Sequence, residues 1–449
     1  MALKTQLFPL ITTTFLPSFP PTSLNPQRLT HNYSIFPSKP RNNANKFLCF
    51  SKSNSQNEEI VIVGAGIAGL STALALHRLG IPTTVLEQTE ALRTGGTSIT
   101  LSKNGWSVLD VLGVADQLRS QFLQIQGLTI KTDEGKQLRS FDFKDVDPSQ
   151  EVRAVERRVL LQTLADELTA GTVRFSSKLA KIEDDNSTGR TKLELTNGSV
   201  LSAKIVIACD GIRSPIARWM GFPETKYAGH CAFRGLAYYP DGQPYEPRVN
   251  YIYGRGLRAG FVPASPSKVY WFIIYNSSSP GPKITNPVEL KEQALNLVKN
   301  WPSELLETIN NTPEDTISRA ALADRWLWPG LTPPVSKGGV VLVGDAWHPM
   351  TPNLGQGGCC ALEDSVVLAK NLSNAIKTQG SIEDALRCYG EERWPRLFPL
   401  TIRANLVGGL LQWENTVVCS LRDGFFIPKV VQLKPMLEHT NFLCEPLKA

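Results

Sequence analysis

The sequence predicts an α/β protein in which a Rossmann-like nucleotide-binding domain is interrupted by an inserted antiparallel β-sheet domain and followed by a helical C-terminus. A β-branched run at 59–63 precedes a glycine-rich loop, which is typical of the first strand of a βαβ unit. Aromatic and β-branched residues alternate with Gly and Pro from 222 to 280, which predicts antiparallel strands. An apolar run at 340–343 returns to the nucleotide-binding pattern, so that domain is discontinuous in sequence.

The first 57 residues differ in composition from the rest of the chain. They contain six basic residues and no acidic residue, and they are rich in Ser, Thr, Pro and Asn. This composition favours a plastid transit peptide, and the alternative is a disordered tail with no targeting role. The remaining chain has 41 basic and 41 acidic residues, so the formal net charge of +6 gives no argument for nucleic acid binding.

The sequence argues against a membrane-spanning protein and against a protein built around a metal site. No window contains the roughly 18 consecutive apolar residues of a transmembrane helix. The eight cysteines are scattered and form no C-x-x-C pair, which argues against a zinc site or a disulfide framework. The apolar run 406–411 allows peripheral contact with a membrane, although a packed helix is the favoured interpretation.

The glycine loop Gly64-Ala65-Gly66-Ile67-Ala68-Gly69 lies between the strand at 59–63 and a helix predicted over 70–79. In such a loop the first glycine permits a tight turn, the second lets a pyrophosphate approach the backbone, and the third lets helix and strand pack closely. The N-terminus of the following helix then offers free N–H groups to the phosphates.

A second strand, predicted at 83–86, completes the βαβ unit and ends at Glu87. An acidic residue at this position accepts the hydroxyls of the adenosine ribose. Strand, loop, helix, strand and acid in this order predict a dinucleotide site. The motif alone does not separate FAD from NAD.

Two further motifs follow predicted strands. Asp210-Gly211 comes after the strand at 204–208, and Gly344-Asp345 comes after the strand at 340–343. A glycine-rich loop then leads into a helix predicted over 361–378, with its N-terminus near Cys360 or Ala361. The marked residues of that loop are Pro352, Gly355, Gln356, Gly357 and Gly358. Leucines at helical spacing also predict a helix over 150–170, which contains Arg157.

In this order and spacing the motifs resemble those of the class A flavoprotein monooxygenases, the group that includes 4-hydroxybenzoate hydroxylase, salicylate hydroxylase and zeaxanthin epoxidase. The resemblance covers the chain from about Glu58 onward, and the segment 437–442 is most similar to the plant monooxygenase 1/2-like branch. It implies bound FAD, NAD(P)H as a transient co-substrate, and dioxygen. The implied reaction is hydroxylation or epoxidation of a small aromatic or unsaturated substrate through a flavin C4a-hydroperoxide.

The resemblance also implies roles for individual residues. The glycine loop and Glu87 would hold the ADP part of FAD, and Asp345 would bind the ribityl chain. Asp210-Gly211 would contact both FAD and NAD(P)H, and the loop from Pro352 to Gly358 would lie against the isoalloxazine ring. Arg93 and Arg157 would lie near the flavin, although Arg158 is an alternative to Arg157 because Glu156 stands where many relatives have His.

The implied domain organisation has five segments. They are a transit peptide at 1–57, the first part of the FAD-binding domain at 58–221, a β-rich substrate domain at 222–318, the second part of the FAD-binding domain at 319–385 and a helical region at 386–449.

Several residues have two interpretations. His348 is either a catalytic base or, preferably, a structural residue. Arg234 either meets an anionic substrate or flavin, or forms a salt bridge at a strand edge. Asp324-Arg325 is interpreted as a pair that bridges domains.

Two rival functions also remain open at this point. One is a reductase or cyclase of the same flavoprotein superfamily, and the other is a protein that binds FAD without catalysis.

Overall fold

The computed structural model describes residues 56–92 and 97–448. The predicted transit peptide at 1–57 therefore lies almost wholly outside the described residues, as does Arg93.

The described chain contains two large sheets with helices packed against them. The strands are β1 (Gln56–Val63), β2 (Thr84–Leu86), β3 (Ser98–Leu101), β4 (Gly127–Thr132), β5 (Gln137–Asp142), β6 (Arg153–Glu156), β7 (Val173–Arg174), β8 (Leu179–Asp185), β9 (Arg190–Leu195), β10 (Val200–Ala208), β11 (Lys226–Tyr238), β12 (Arg248–Tyr253), β13 (Leu257–Ser265), β14 (Lys268–Asn276), β15 (Ser318–Asp324), β16 (Ser336–Lys337) and β17 (Val340–Leu342). The α-helices are α1 (Ile67–Arg78), α2 (Lys103–Leu112), α3 (Ala115–Arg119), α4 (Arg157–Asp166), α5 (Pro215–Trp219), α6 (Pro287–Leu297), α7 (Ser303–Asn310), α8 (Gly357–Thr378), α9 (Ile382–Leu411), α10 (Thr416–Leu421) and α11 (Leu433–Leu437).

The first sheet has the strand order β16-β17-β10-β1-β2-β7, with the β8–β9 hairpin attached to β10. Strands β17, β10, β1, β2 and β7 run parallel. The apolar residues from Ile60 to Val63 are all buried, as a strand covered on both faces requires. A turn at Asn197-Gly198 joins β9 to β10, and Gly198 has a φ of +84°.

The second sheet has the order β15-β11-β14-β13-β12-β4-β5. Its neighbouring strands are antiparallel except for β12 and β4, which pair in parallel. The strands β4 and β5 come from 127–142, so the sheet takes two strands from before residue 222. One face packs against α6 and α7 through a core that includes the fully buried Trp271, whose Nε1 donates to Thr312 at 2.7 Å.

The prediction of a helix over the whole of 150–170 is wrong for its first part. Residues Arg153–Glu156 form strand β6, which pairs with β3, and α4 begins only at Arg157. The leucines that suggested a helix all lie after residue 159. Before them Ala154 and Val155 are fully buried, and cross-strand pairing overrides the helical pattern.

The long C-terminal helix α9 passes through two prolines, a residue type that usually breaks a helix. Pro395 and Pro399 both lie inside α9 and are exposed, while Arg393 and Leu397 on the opposite side are buried. Proline removes a backbone hydrogen bond of the helix. On the solvent-exposed face of α9, water can satisfy the carbonyl groups that lose this partner. Among the described residues, no helix combines the length and apolar character needed to cross a membrane.

Candidate functional site

The three predicted motifs and Glu87 meet at one edge of the first sheet. The last residues of four neighbouring parallel strands are in register: Val63 pairs with Leu86 on one side and with Ala208 on the other, and Ala208 pairs with Leu342. Every motif begins within two residues of one of these strand ends. Parallel strands thus bring segments that are up to about 280 residues apart to a single crevice, where open α/β sheets bind ligands.

The three glycines of the first loop are required for different reasons. Gly64 has a φ of +105°, and a Cβ there would lie 2.5 Å from the carbonyl oxygen of Cys209. A Cβ on Gly69 would collide with the carbonyl oxygen of Gly64. By contrast, Gly66 has a φ of −84°, which any residue adopts, and a Cβ there would meet nothing within 4 Å. The fold therefore requires Gly64 and Gly69, whereas the open space at Gly66 fits a ligand that approaches the backbone.

Helix α1 begins at this open space with its backbone N–H groups available. Its N-cap residue is Gly66, no side chain caps the helix, and its first turn contains no acidic residue. The partial positive charge of the helix N-terminus is thus left to a ligand, and a diphosphate fits both its charge and the space.

Glu87 is buried and tied to the glycine loop. Its Oε2 accepts from the Ala65 backbone N–H at 2.9 Å, and its Oε1 accepts from the backbone N–H and the hydroxyl of Thr89 at 3.0 and 2.7 Å. This carboxylate therefore holds the loop in place, a role in addition to the predicted contact with ribose.

Asp210 lies beside the glycine loop at the end of β10. Both of its carboxylate oxygens are buried, and neither has a partner in hydrogen-bonding geometry among the described residues. Burial raises the pKa of Asp210 to about 6, because a carboxylate out of water favours its neutral form. Gly211 next to it has a φ of +82°. The Ser214 hydroxyl and the Ile216 backbone N–H lie near enough to oppose the rise in pKa, but no described residue donates to this carboxylate in hydrogen-bonding geometry. Such buried acceptors fit a ligand that brings hydroxyl or N–H groups.

Asp345 lies at the neighbouring strand end, after β17. Solvent reaches its side chain, yet the surrounding protein removes enough hydration to raise the pKa of its carboxyl, and the charges of His348 and Arg157 oppose that rise. Arg157 is half-buried and accordingly acts on this carboxylate, whereas Arg158 is exposed. Of the two arginines, Arg157 thus has the position expected of a residue on the flavin side.

A buried group of charged side chains holds the turn after β17 at this edge of the sheet. Asp364 on α8 accepts from the Gly344 backbone N–H at 3.0 Å, bonds His348 Nε2 at 2.6 Å and accepts from Arg393 Nε at 2.7 Å. Its burial opposes ionisation, but the neighbouring His348 and Arg393 outweigh this effect and hold the pKa of Asp364 at about 2. His348 is fully buried in this contact, which is the structural position that its sequence context favoured.

The loop from Pro352 to Gly358 is held from several directions. The side chain of Gln356 is buried and accepts from Asn104 Nδ2 at 2.8 Å, and Gly355 has a φ of +65°. A Cβ on Gly358 would collide with Ile99. Helix α8 begins at Gly357, not near Cys360 or Ala361 as expected, because its first turn includes both glycines. Its N-terminus has no side-chain cap and no acid in the first turn, so it points a partial positive charge at the loop.

The second sheet turns one face toward this loop, and Arg234 and Arg258 both lie on that face. Arg234 is half-buried beside the hydroxyl of Tyr270, and burial raises the pKa of that hydroxyl. Arg258 on β13 is only 4% exposed, and its guanidinium contacts the side-chain oxygen of Asn353 in the loop. In the described residues Arg258 forms no salt bridge, and burial lowers the pKa of its guanidinium.

Sequence reasoning found Arg234 but missed Arg258 and Tyr270. The available signal was a single charge in the otherwise apolar strand 257–264. A charge at an inward position of such a strand is costly unless it has a partner or a ligand. The predicted bridging residue Arg325 donates to the carbonyl oxygens of Ala346 and Trp347 at 2.7 and 3.3 Å and to that of Pro223 at 2.9 Å. It thus links the turn after Gly344-Asp345 to the start of the segment 222–318.

A family model described as "FAD binding domain" matches residues 57–401. The chain belongs to this family. It is 36% identical to Monooxygenase 2 of Arabidopsis thaliana over 404 residues, which cover 87% of this chain and 98% of that protein. It is 33% identical to Monooxygenase 1 of the same plant, with coverage of 86% and 98%. The resemblance to FAD-dependent monooxygenases inferred from the motifs is thereby confirmed.

Solved structures have the same fold. The structure of HpxO from Klebsiella pneumoniae in complex with FAD and uric acid matches with a TM-score of 0.75 at 23% identity, over 86% of this chain and 96% of that one. The tetracycline destructase Tet(51) matches with a TM-score of 0.64 at 16% identity, over 87% and 100%. Together with the family, these matches support FAD as the cofactor, and the space at Gly66, the α1 N-terminus and Asp210 fit it.

The different roles of the glycines predict different effects of substitution. Gly66→Val should leave the thermal stability of the apoprotein nearly unchanged, because a Cβ at this position meets nothing within 4 Å, and should weaken FAD binding by about tenfold or more. Gly69→Ala should lower the stability of the apoprotein itself, by about 1–3 kcal/mol, through its collision with Gly64. Thermal unfolding and FAD titration by flavin fluorescence measure the two effects. Normal FAD affinity in Gly66→Val would contradict this assignment.

The buried Asp364 predicts acid sensitivity. Because its folded pKa of about 2 lies below the usual value of about 3.9, it contributes stability above about pH 4, and this contribution is lost as the pH falls toward 2. Asp364→Asn should lower the free energy of unfolding at neutral pH by about 3–5 kcal/mol, since it leaves Arg393 without full compensation. Asp116→Asn, at a 97% exposed side chain, is the matched control. Equal urea midpoints for the two variants would disprove this role of Asp364.

Proposed function

We propose that this protein uses NAD(P)H and dioxygen to hydroxylate or epoxidise a small aromatic or unsaturated substrate that carries an acidic group. The observation that carries the proposal is the contact between Arg258 on the second sheet and Asn353 in the Pro352–Gly358 loop. It places a buried arginine, which forms no salt bridge within the described part of the chain, against the loop assigned to the flavin ring. A substrate held by Arg258 would therefore lie beside the flavin.

The bound FAD would supply electron transfer and oxygen activation, and the protein would supply binding, orientation and electrostatics. The N-terminus of α8 would stabilise negative charge on the adjacent edge of the reduced ring. Glu87 and the α1 N-terminus would hold the ADP part, and Asp345 the ribityl hydroxyls. Only one strand–glycine loop–helix unit of this kind occurs in the sequence, so NAD(P)H is proposed to visit transiently rather than to occupy a domain of its own.

The face of the second sheet would orient the substrate and exclude water. Arg258 and Arg234 offer two cationic groups to a carboxylate or phenolate. The raised pKa of Tyr270 keeps its hydroxyl protonated at neutral pH, so that it can donate a hydrogen bond. Tyr251 and Phe272 on the same face pack with their ring centroids 6.2 Å apart and provide an apolar wall. Exclusion of water protects an activated oxygen species from unproductive decay.

The proposal predicts that an acidic aromatic substrate will accelerate NADPH-dependent oxygen uptake. A panel of hydroxylated and carboxylated aromatic compounds, with neutral analogues, should be screened with an oxygen electrode and by product mass after labelling with ¹⁸O₂. One oxygen atom from O₂ in the product is the expected result. NADPH oxidation without oxygen in any product would favour a reductase, and failure of every compound to accelerate oxidation would favour a non-catalytic FAD-binding protein.

Arg258→Gln provides the specific test of the substrate side. It should raise KM for the acidic substrate by about tenfold or more, with bound FAD retained, because the anion loses its buried cationic partner. Arg255→Gln, three residues away and exposed, is the control and should leave KM unchanged. An unchanged KM in Arg258→Gln would contradict the claim that the substrate carries an acidic group bound by Arg258. It would not contradict the proposed monooxygenase activity.

We further propose that residues 1–57 direct the protein to plastids, on the basis of their basic, acid-free and Ser-rich composition. A fluorescent protein fused behind residues 1–57 should accumulate in chloroplasts of transfected leaf cells. A fusion that stays in the cytosol would support the alternative of a tail without targeting role.

A further inference from the structure

Exposed apolar side chains are concentrated near the C-terminus. Eight of the sixteen exposed large apolar side chains in the described residues fall within 406–430. We call this group the C-terminal apolar surface; its members are Leu406, Leu410, Trp413, Val417, Leu421, Phe425, Phe426 and Val430. A cluster of this size on an otherwise ordinary surface marks a site of interaction.

The cluster follows from the helical geometry. Leu406 and Leu410 are spaced by four residues and so lie on one face at the end of α9, and Trp413 follows two residues after the helix ends. The other five recur at intervals of about four residues along α10 and the wide helical turns of 422–430. The two stripes are joined, since Cys419 Sγ lies 3.2 Å from the Trp413 carbonyl oxygen and the buried Arg422 donates to the Leu411 carbonyl at 3.1 Å.

The charges around the C-terminal apolar surface identify its partner. Within 415–437 the only acidic residue is Asp423, and Arg422 pairs with it at 2.7 Å. Glu414 and Glu438 lie just outside this stretch, and Glu414 accepts from the Asn276 amide at 2.6 Å. Lys429 and Lys434 are exposed and form no salt bridge among the described residues. Apolar side chains flanked by lysines complement the acyl boundary and head groups of an anionic bilayer. The basic N-terminal segment and a second copy of this surface would instead add like charges.

A cavity lies between this surface and the edge of the sheet that carries the proposed substrate face. Its volume is about 930 Å³, and it is lined by Leu406, Leu410 and Trp413 on one side and by His230 and Asn276 on the other. His230 pairs with Asn276 across β11 and β14 and lies four residues from Arg234 on the same side of the sheet. Arg258 pairs with Ile274, which lies two residues from Asn276 on β14, so His230 and Arg258 lie on the same side of the sheet.

We infer that the C-terminal apolar surface docks on the surface of an anionic lipid bilayer. Phe425, Phe426 and Trp413 insert among the acyl chains, and Lys429 and Lys434 meet the lipid phosphates. The cavity beside Trp413 then opens at the bilayer, so that a lipid-soluble substrate can reach the sheet face without crossing water. The docking does not depend on the proposed function. Only the passage of substrate through the cavity rests on the proposed function.

Flotation of the full-length, FAD-loaded protein with vesicles tests the docking. Vesicles of phosphatidylcholine with phosphatidylglycerol should bind the protein, and vesicles of phosphatidylcholine alone should bind it more weakly. The double variant Phe425→Ser/Phe426→Ser should lose binding by about tenfold or more, because two half-exposed rings no longer insert. Lys429→Gln/Lys434→Gln should lose binding by a similar factor on the anionic vesicles only.

The control is Leu331→Ser/Leu443→Ser, which removes two exposed apolar side chains elsewhere and should bind like the unmodified protein. All variants contain the basic N-terminal segment, so its own attraction to anionic lipid cancels in the comparison. Equal binding of the phenylalanine variant and the control would overturn the inference. The inference would also be overturned if the unmodified protein self-associates, the phenylalanine variant is monomeric, and both bind vesicles equally. The partner of the surface would then be a second copy of the chain. Neither result depends on enzymatic turnover, so a failure here is distinct from a failure of the proposed function.

Discussion

The close backbone contact between the glycine loop and strand β10 is the constraint on which the rest of the site depends. Gly64 lies against the Cys209 carbonyl, and Gly69 lies against Gly64, at distances that no side chain permits. This contact lets α1 start directly at the strand end and aims its N-terminus into the crevice. It also sets Asp210 beside the loop, because Asp210 immediately follows Cys209. A side chain at either glycine would displace the helix and the neighbouring motif together.

A second set of interactions fixes the opposite wall of the crevice. Asp364 joins the backbone at Gly344 to Arg393, and Glu363 on the same helix joins Arg393 at 2.8 Å and Arg396 at 2.6 Å. Buried ion pairs contribute little net stability, since desolvation offsets their attraction, but loss of one partner is costly. In this position their effect is geometric. They hold the start of α8, α9 and the turn after β17 together. The Pro352–Gly358 loop runs from the turn after β17 to the start of α8, so both of its ends are fixed.

The parts of the fold that depend on local pattern were predictable from the sequence, and those that depend on distant packing were not. The β1–loop–α1–β2 unit follows from residues adjacent in the chain. The strand at Arg153–Glu156 was not predicted, because its partner, β3, lies over fifty residues earlier. The start of α8 was predicted three or four residues too late. Arg258 has no local motif at all: its importance arises from burial against a loop about ninety-five residues later. The prolines of α9 show the same limit, because their tolerance depends on which face meets water.

The visible absorption spectrum of the full-length protein, as purified and after anaerobic addition of NADPH with candidate aromatic acids, tests the central claim most directly. The account predicts one bound flavin per chain, which bleaches on reduction and recovers its absorbance when air is admitted. A folded protein that contains no flavin and takes up no added FAD would contradict the assignment of the crevice at the ends of β2, β1, β10 and β17.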